Sequence, residues 1–458
     1  MLNDWAAVVL AAGKGTRMHS HYPKVLHPVA GKPMLLHILD AVVEAQLSRS
    51  VVIVGHEGGA VRAAVGEGIE YAEQQEALGT GHAVLQARDL LLGGPPHVLV
   101  LYGDTPLVRA DTLKRAIEHH LSTGAMVTIA TCQREDARGL GRVLRSEYGS
   151  VLAVIEEAEA SEEQLAIPET NEGIYCFEAQ WLWDRIKVLR AHHNGEYYLT
   201  DVVGIATAEG HLVETIAVQD LTEAMGINDR VQLAQAEGVM RQRVRERLML
   251  SGVTLLDPPS TFIDADVEIG QDTVVHPHTT IGGKTSVGRD CQIGPGSMLR
   301  DSQVGDGCRI VASMVEESTI EQGVTIGPFS HLRPGSYIEA EVHLGNYVEV
   351  KNSRIGGRTQ VGHFSYIGDA ILGKDVNIGA GTITCNYDGV EKHSTHIGDG
   401  AFIGSDTMLV APVTVGAGAS TGAGSVVTKD VPPNKLAVGM PARTVPQHVK
   451  KRTNETAE

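Results

Sequence analysis

Cysteine is scarce in this chain of 458 residues: five are present, at positions 132, 176, 291, 308 and 385, with no C-x-x-C pair. An odd, scattered set argues against a disulfide framework or a zinc ribbon and fits reduced thiols in a cytosolic protein. Positive charge is also short. Lys and Arg number 38 against 56 Asp and Glu, a formal charge of -18, which repels polyanions and argues against a DNA, RNA or anionic-membrane binder. Small anions remain possible ligands wherever local cations outweigh the global field. Long hydrophobic runs are missing as well. The start, MLNDWAAVVLAAGKG, carries Asp4 and is too short and Gly-broken for a signal peptide or span, and no later stretch approaches about 18 apolar residues. A cytoplasmic protein is expected. With 42% apolar and 21% charged residues, neither wholesale disorder nor a collagen-like fibre fits, and the length excludes one small stapled module.

Glycine divides what is present: 23 fall in residues 1–251 and 29 in the shorter remainder. In the first part, apolar runs at Ala6–Ala11, Val51–Val54, Val98–Tyr102 and Met126–Thr131 alternate with helical patterns at Met34–Leu47, His82–Leu91 and Thr112–Leu121. That alternation predicts a mostly parallel sheet covered on both faces. Residues 227–251 read as one helix ended by Ser251-Gly252, either a connecting element or a surface helix of the first domain. The expected division is 1–229, a linker helix at 230–251, and 252–458.

From position 263 a different rule holds. Aliphatic residues recur six apart (263, 269, 275, 281, 287, 293, 299), resume at 320 and again at 397, and are repeatedly followed by glycine, as in Ile269-Gly270 and Val361-Gly362. One inward aliphatic residue per six, then a turn tolerant of positive φ, predicts a parallel β-helix of hexapeptide repeats with about 18 residues per coil. Its lumen would be narrow, and residues after 251 indeed include only eight aromatics and no Trp. The run CNYDGVEKHSTH between Thr384 and Ile397 breaks the rhythm and predicts a loop leaving the prism.

Two constellations carry chemistry. In the first, L-A-A-G-K-G-T-R-M at residues 10–18, then Pro23-Lys24, follows the first strand. A glycine loop there lets backbone N–H groups approach phosphates, with Arg17 and Lys24 adding charge. Met18 rules out the dinucleotide fingerprint, and no G-K-[ST] closes a P-loop. Asp104, in Gly103-Asp104 after the strand ending at Tyr102, reaches the same sheet edge, where a carboxylate can hold Mg²⁺ against phosphate oxygens.

These motifs, L-x-x-G-x-G-T-R-M with P-K and Gly103-Asp104-Thr105-Pro106, resemble the sugar-nucleotide pyrophosphorylases. Joined to a hexapeptide helix, the chain resembles the bacterial bifunctional N-acetylglucosamine-1-phosphate uridyltransferase and glucosamine-1-phosphate N-acetyltransferase family. The resemblance implies a Rossmann-like nucleotidyltransferase domain, a left-handed β-helix, UDP-N-acetylglucosamine synthesis for cell-wall precursors such as peptidoglycan and lipopolysaccharide, and a homotrimer. It also implies UTP or UDP-N-acetylglucosamine contacts at Leu10, Ala11, Ala12, Gly13, Lys24, Tyr102, Gly103 and Asp104. Gln74, Gly79 and Thr80 would read uracil. Gly141, Glu156 and Asn171 would hold the N-acetylglucosamine moiety, and Asn228 would join Asp104 as a Mg²⁺ ligand. Gly195–Asp201 resembles the family's sugar-side loop without an assigned role.

In the second constellation, Arg333, Lys351 and Lys392 form a possible cationic cluster for a sugar phosphate on an acidic protein. His363 follows Val361-Gly362 and should project from a coil corner, where an imidazole can accept a proton from an ammonium attacking a thioester. V-G-H-F-S-Y-I-G-D resembles the acetyltransferase half of the family, which implies His363 as general base. It further implies sugar-phosphate contacts at Tyr366 and Asn377, and acetyl-CoA contacts at Ala380, Asn386, Tyr387, Ser405 and Ala423, with the coenzyme between neighbouring prisms. One departure is Met440, where the family often carries a coenzyme-contacting arginine; Arg443 and the tail Lys450-Lys451-Arg452 are the alternative cations.

Three other readings stay open on the residues alone. The chain fits a single-activity pyrophosphorylase with an oligomerising or regulatory β-helix, a non-catalytic scaffold, or a zinc hydratase using His343, His363, His393 and His396.

Overall fold

The structure, a computed structural model, describes residues 2–55 and 58–446. Two compact units divide between Met240 and Arg241.

In the first unit, nine strands form one sheet: β1 Leu2–Ala11, β2 Leu47–Val54, β3 Glu70–Glu73, β4 His97–Tyr102, β5 Val127–Gln133, β6 Arg142–Arg145, β7 Val151–Ile155, β8 Glu169–Glu178 and β9 Val213–Ala217. The order is β9-β5-β8-β4-β1-β2-β3, with the β6–β7 hairpin attached to β8. Strand β1 is apolar from Trp5 to Ala11 because both faces are covered there. Ala7 and Val9 enter one core cluster, with Leu35, Ile38 and Val42 of helix Met34–Glu44. Ala6 and Val8 enter the other, with Val202, Val203 and Ala206 of helix Asp201–Ala208. The parallel expectation holds for β1, β2, β3 and β4, and β9 also runs parallel to β5. Strand β8 is antiparallel to both β4 and β5.

The helix expected over His82–Leu91 is two pieces, Thr80–Leu85 and Arg88–Leu91. Gln86 Nε2 donates to the His82 carbonyl at 2.9 Å, taking the acceptor that the Gln86 backbone N–H would use in a continuous helix. Helix Arg230–Leu250 spans the junction between the units and ends where Gly252 adopts φ 97°. Val244 and Leu248 are buried, whereas Val231 is exposed.

The second unit contains three parallel sheets of 12, 10 and 9 strands, each strand pairing with the one a full coil later; only the final strand pair, Lys435–Gly439 with Ala442–Pro446, is antiparallel. In the 10-stranded sheet Ile263 pairs with Ile281, Ile281 with Leu299, and Leu299 with Val315. These side chains and their counterparts in the other two sheets form one continuous buried core. Where the inward slot holds Thr384, its hydroxyl accepts from Gly368 N–H at 2.7 Å and donates to Gly368 O at 3.0 Å, which satisfies the buried polar group. The loop expected after Thr384 is present between strands Ile383–Cys385 and Thr395–Ile397, pinned by a Tyr387–Lys392 bridge and by Asp388 accepting from His393 at 2.7 Å. Among the described residues no helix is long and apolar enough to cross a membrane.

Candidate active sites

At the carboxyl ends of β1 and β4 lies a cleft of about 710 Å³, lined by Leu10, Ala12, Gly13, Lys14, Gly15, Thr16, Arg17, Lys24, Gln74, Gly79, Thr80, Tyr102, Asp104 and Glu156 among others. The chain turns here because Gly15 sits at φ 59°, and a Cβ on it would lie 2.6 Å from Lys24 Cβ. The second glycine of G-K-G therefore makes the space through which Lys24 enters. Lys24 Nζ donates to Asp104 Oδ2 in a short bond and to Asn228 Oδ1 at 2.8 Å, and Arg17 Nη2 reaches the same Asn228 oxygen at 3.0 Å. Asn228 is delivered by the Ile227 N–H donating to Asp104 O at 3.0 Å.

The Asp104 carboxylate and the Asn228 amide oxygen, meeting at one ammonium, are hard oxygen donors of the kind Mg²⁺ takes, with phosphate oxygens able to fill the remaining positions. Among the described residues no group of three or more His, Cys, Asp or Glu could hold a metal ion.

Gln74 is buried and its Nε2 donates to Gly79 O at 3.0 Å. Gly79 has φ 95°, and a Cβ on it would stand 2.6 Å from Tyr197 O. The segment 78–81 is clamped by Tyr197 N–H to Leu78 O and Gly81 N–H to Tyr197 O, both at 2.8 Å. The loop left without a role thus holds segment 78–81, and its Glu196 and Tyr198 line the cleft. The motif Gly195–Asp201 was the available signal, but its partners lie more than a hundred residues away.

Glu156 accepts from Thr200 Oγ1 at 2.9 Å. Burial pushes its carboxyl above the ordinary carboxylate range, with Asp201 and Glu196 adding to the shift and Thr200 opposing it. Ala11, Gly103, Gly141, Asn171 and Asn228 do not line the cleft themselves. Gly103 is a backbone hinge whose N–H donates to Leu10 O at 2.8 Å. Asn171 donates its backbone N–H to Gly141 O at 2.9 Å, and its side chain donates to Tyr175, whose hydroxyl is 3.4 Å from that of Tyr102.

On the second unit, His363 ends strand Gln360–His363 and is exposed. One corner continues from it through successive coils: Gly381 N–H donates to His363 O, Asp406 N–H to Ala380 O, and Gly424 N–H to Ser405 O. Ala380, Ser405 and Ala423 therefore stand in file along the edge that carries His363. On the neighbouring 10-stranded sheet Glu349 pairs with Tyr366 and Lys351 with Gly368. Arg333 donates to Glu349 at 2.9 Å, and the Lys392 ammonium beside Lys351 pushes that amine below the ordinary lysine range. Asn386 donates to Tyr366 Oη at 3.5 Å and to Asp369. Asn377 pairs with Gln360, on the strand of His363. Tyr387 is exposed, with its hydroxyl turned back to Gly389 O. Met440 stands exposed at the tip of the last hairpin, and Arg443 is exposed on its return strand, paired in register with Val438. The tail Lys450-Lys451-Arg452 lies outside the described residues. Of the four histidines weighed for zinc, His343 bonds Thr325, His363 bonds Asn346 and His393 bonds Asp388.

Residues 7–200 match the family described as a MobA-like NTP transferase domain, and residues 394–429 match the bacterial transferase hexapeptide (six repeats). Over most of its length the chain is similar to the bifunctional protein GlmU of Heliobacterium modesticaldum, 51% identical over 433 residues, 94% of each chain. It is 48% identical to that of Geobacillus sp. over 433 residues, 94% of each, and 49% identical to that of Pelobacter propionicus over 441 residues, 95% of this chain and 96% of the relative. The chain belongs to the bifunctional GlmU family. It is a two-activity transferase, with a nucleotidyltransferase domain at the glycine-loop cleft and hexapeptide repeats of the acyltransferase type. The family places two chemistries on one chain, which accounts for two separate polar constellations on an otherwise ordinary acidic surface.

Proposed function

We propose that residues 252–458 acetylate glucosamine 1-phosphate from acetyl-CoA, and that residues 1–229 then transfer uridylyl from UTP to N-acetylglucosamine 1-phosphate, with 230–251 as the linker. The observation that carries the first domain's assignment is the single ammonium of Lys24 meeting both Asp104 and Asn228 at the mouth of the glycine loop.

In uridylyl transfer the sugar phosphate is already an anion, so no base is required. Its oxygen attacks the α-phosphorus in line, a P–O bond forms, and the bond to pyrophosphate breaks on the opposite side. Lys24 and Arg17 neutralise charge at the phosphates, and loop N–H groups orient them. Asp104 and Asn228 would hold Mg²⁺, which would supply further charge neutralisation at phosphate oxygens. Gln74 with the 79–80 backbone reads the base, with Glu156 at the sugar end and Asn171 behind it through Tyr175 and Tyr102.

In acetyl transfer the His363 imidazole takes one proton from the substrate ammonium, the freed amine nitrogen forms a bond to the thioester carbonyl, and the C–S bond breaks as a second N–H proton passes to the leaving sulfur, releasing the thiol. Arg333, Lys351 and Lys392 hold the phosphate, with Tyr366 and Asn377 beside the sugar. The file Ala380, Ser405, Ala423, with Asn386 and Tyr387, receives the coenzyme. The exposed rings of Phe329, Tyr347 and Phe364 stack at 5.4 and 5.1 Å next to His363, an apolar ladder that supports seating against a second copy in a cytoplasmic homotrimer.

The test is His363→Ala measured in both half-reactions. Thiol release should be lost while pyrophosphate release from UTP and N-acetylglucosamine 1-phosphate is kept. Equal loss of both, or of neither, would count against the assignment.

A further inference from the structure

We propose that Asn346 is the positioning residue of the acetyl-transfer base: its side-chain carbonyl keeps the proton on His363 Nδ1 and so leaves Nε2 as the basic, outward nitrogen. The inference rests on His363 acting as the base.

Asn346 and His363 are register partners on adjacent coils of the 12-stranded sheet. Partners in a parallel ladder stack side by side, and here both end their strands at the same corner. Asn346 Oδ1 meets His363 Nδ1 in a short hydrogen bond. An amide oxygen only accepts, so Nδ1 is the donor, and in a neutral imidazole the other nitrogen then carries the lone pair. Among the described residues nothing bonds His363 Nε2, and the side chain is exposed, so that lone pair is open to a substrate.

The backbone keeps the pair in place. Asn346 O accepts from Phe364 N–H at 3.1 Å, and Ser365 Oγ donates to His363 O at 2.9 Å. A neutral orienting group also suits the chemistry. A carboxylate in its place would favour the imidazolium, which has no lone pair to accept the ammonium proton. Asn346 touches no reacting atom in this scheme; it acts through the ring.

Two variants of the full-length enzyme separate orientation from packing. Asn346→Leu removes the acceptor at similar volume and should lower kcat for thiol release from acetyl-CoA and glucosamine 1-phosphate roughly tenfold to hundredfold, with KM nearly unchanged. Asn346→Asp retains an acceptor and adds charge. It should keep most of kcat at its optimum while the acid limb of the kcat/KM profile moves up by about one pH unit. Nitrogen NMR of His363 should show the Nδ1–H tautomer in the parent enzyme and its loss in Asn346→Leu. Wild-type kcat in Asn346→Leu, or an Nε2–H tautomer in the parent enzyme, would overturn the proposal. Should Asn346→Leu not fold, as read by loss of the second unit's unfolding transition in a melt, an unshifted acid limb in Asn346→Asp overturns it instead. His363→Ala run alongside keeps the two readings apart. If that variant still releases thiol, the base assignment itself fails; if it does not, while Asn346→Leu is as active as the parent, only the role of Asn346 falls.

Discussion

Lys24 concentrates the first site into one side chain. It is largely buried, it meets Asp104 across 80 positions and Asn228 across 204, and Gly15 leaves the space it passes through. Lys24→Met keeps the aliphatic stem and removes the charge. The expected result is a fall in kcat for pyrophosphate release of roughly 10²–10³, with thiol release from acetyl-CoA unchanged. Loss of the first unit's unfolding transition in a melt would show that the substitution acts through folding rather than through the nucleotide site. Lys24 and Asp104 were legible in the chain because each stands in a short motif, Pro23-Lys24 after the glycine loop and Gly103-Asp104 after a strand. Asn228 was reached only through the family resemblance, since an Asn in a turn is ordinary; what sets it apart in the structure is the ammonium and guanidinium that Lys24 and Arg17 bring to its oxygen.

Regular elements were legible where the rule is local. The six-residue period follows from one inward side chain per short strand and a turn, and it locates Ile338 in the lumen between Ile320 and Ile355. Ile338 is fully buried, so Ile338→Ala should destabilise the second unit by about 2–5 kcal/mol and Ile338→Val by about 0.5–1.5 kcal/mol. Denaturant melts compared with substitution of its outward neighbour Tyr337 would check this; equal costs would contradict an inward column. The direction of β8 was not legible, because its short apolar stretch Ile174–Phe177 reads the same in either direction and only the neighbours β4 and β5 select the antiparallel pairing. The split at Gln86 is of the same kind: a side chain competes for a carbonyl that periodicity alone assigns to the backbone.

At the scale of the whole molecule, the two units have separate cores, one built on alternating faces of a wound sheet and one on a single aliphatic column. Calorimetry should therefore resolve two transitions, and UTP with Mg²⁺ should raise only one of them, by mass action on the unit that binds it. A single transition, or an equal rise of both, would contradict independent ligand linkage. The acidic balance fits small anionic substrates met at local cationic sites, Arg17 with Lys24 and Arg333 with Lys351 and Lys392, in place of one basic surface.

Read as a string, the chain specifies its two architectures, the glycine loop, the sixfold repeat and the loop that interrupts it, because each depends on neighbours within about one turn or one coil. The meeting of Asn228 with Lys24, the clamp of Tyr197 on Leu78 and Gly81 and the pairing of Asn346 with His363 came from folding alone. Hydrogen bonds between residues distant in sequence leave no periodic trace, so which polar side chains become a site is settled only when the backbone brings their atoms within about 3 Å of one another.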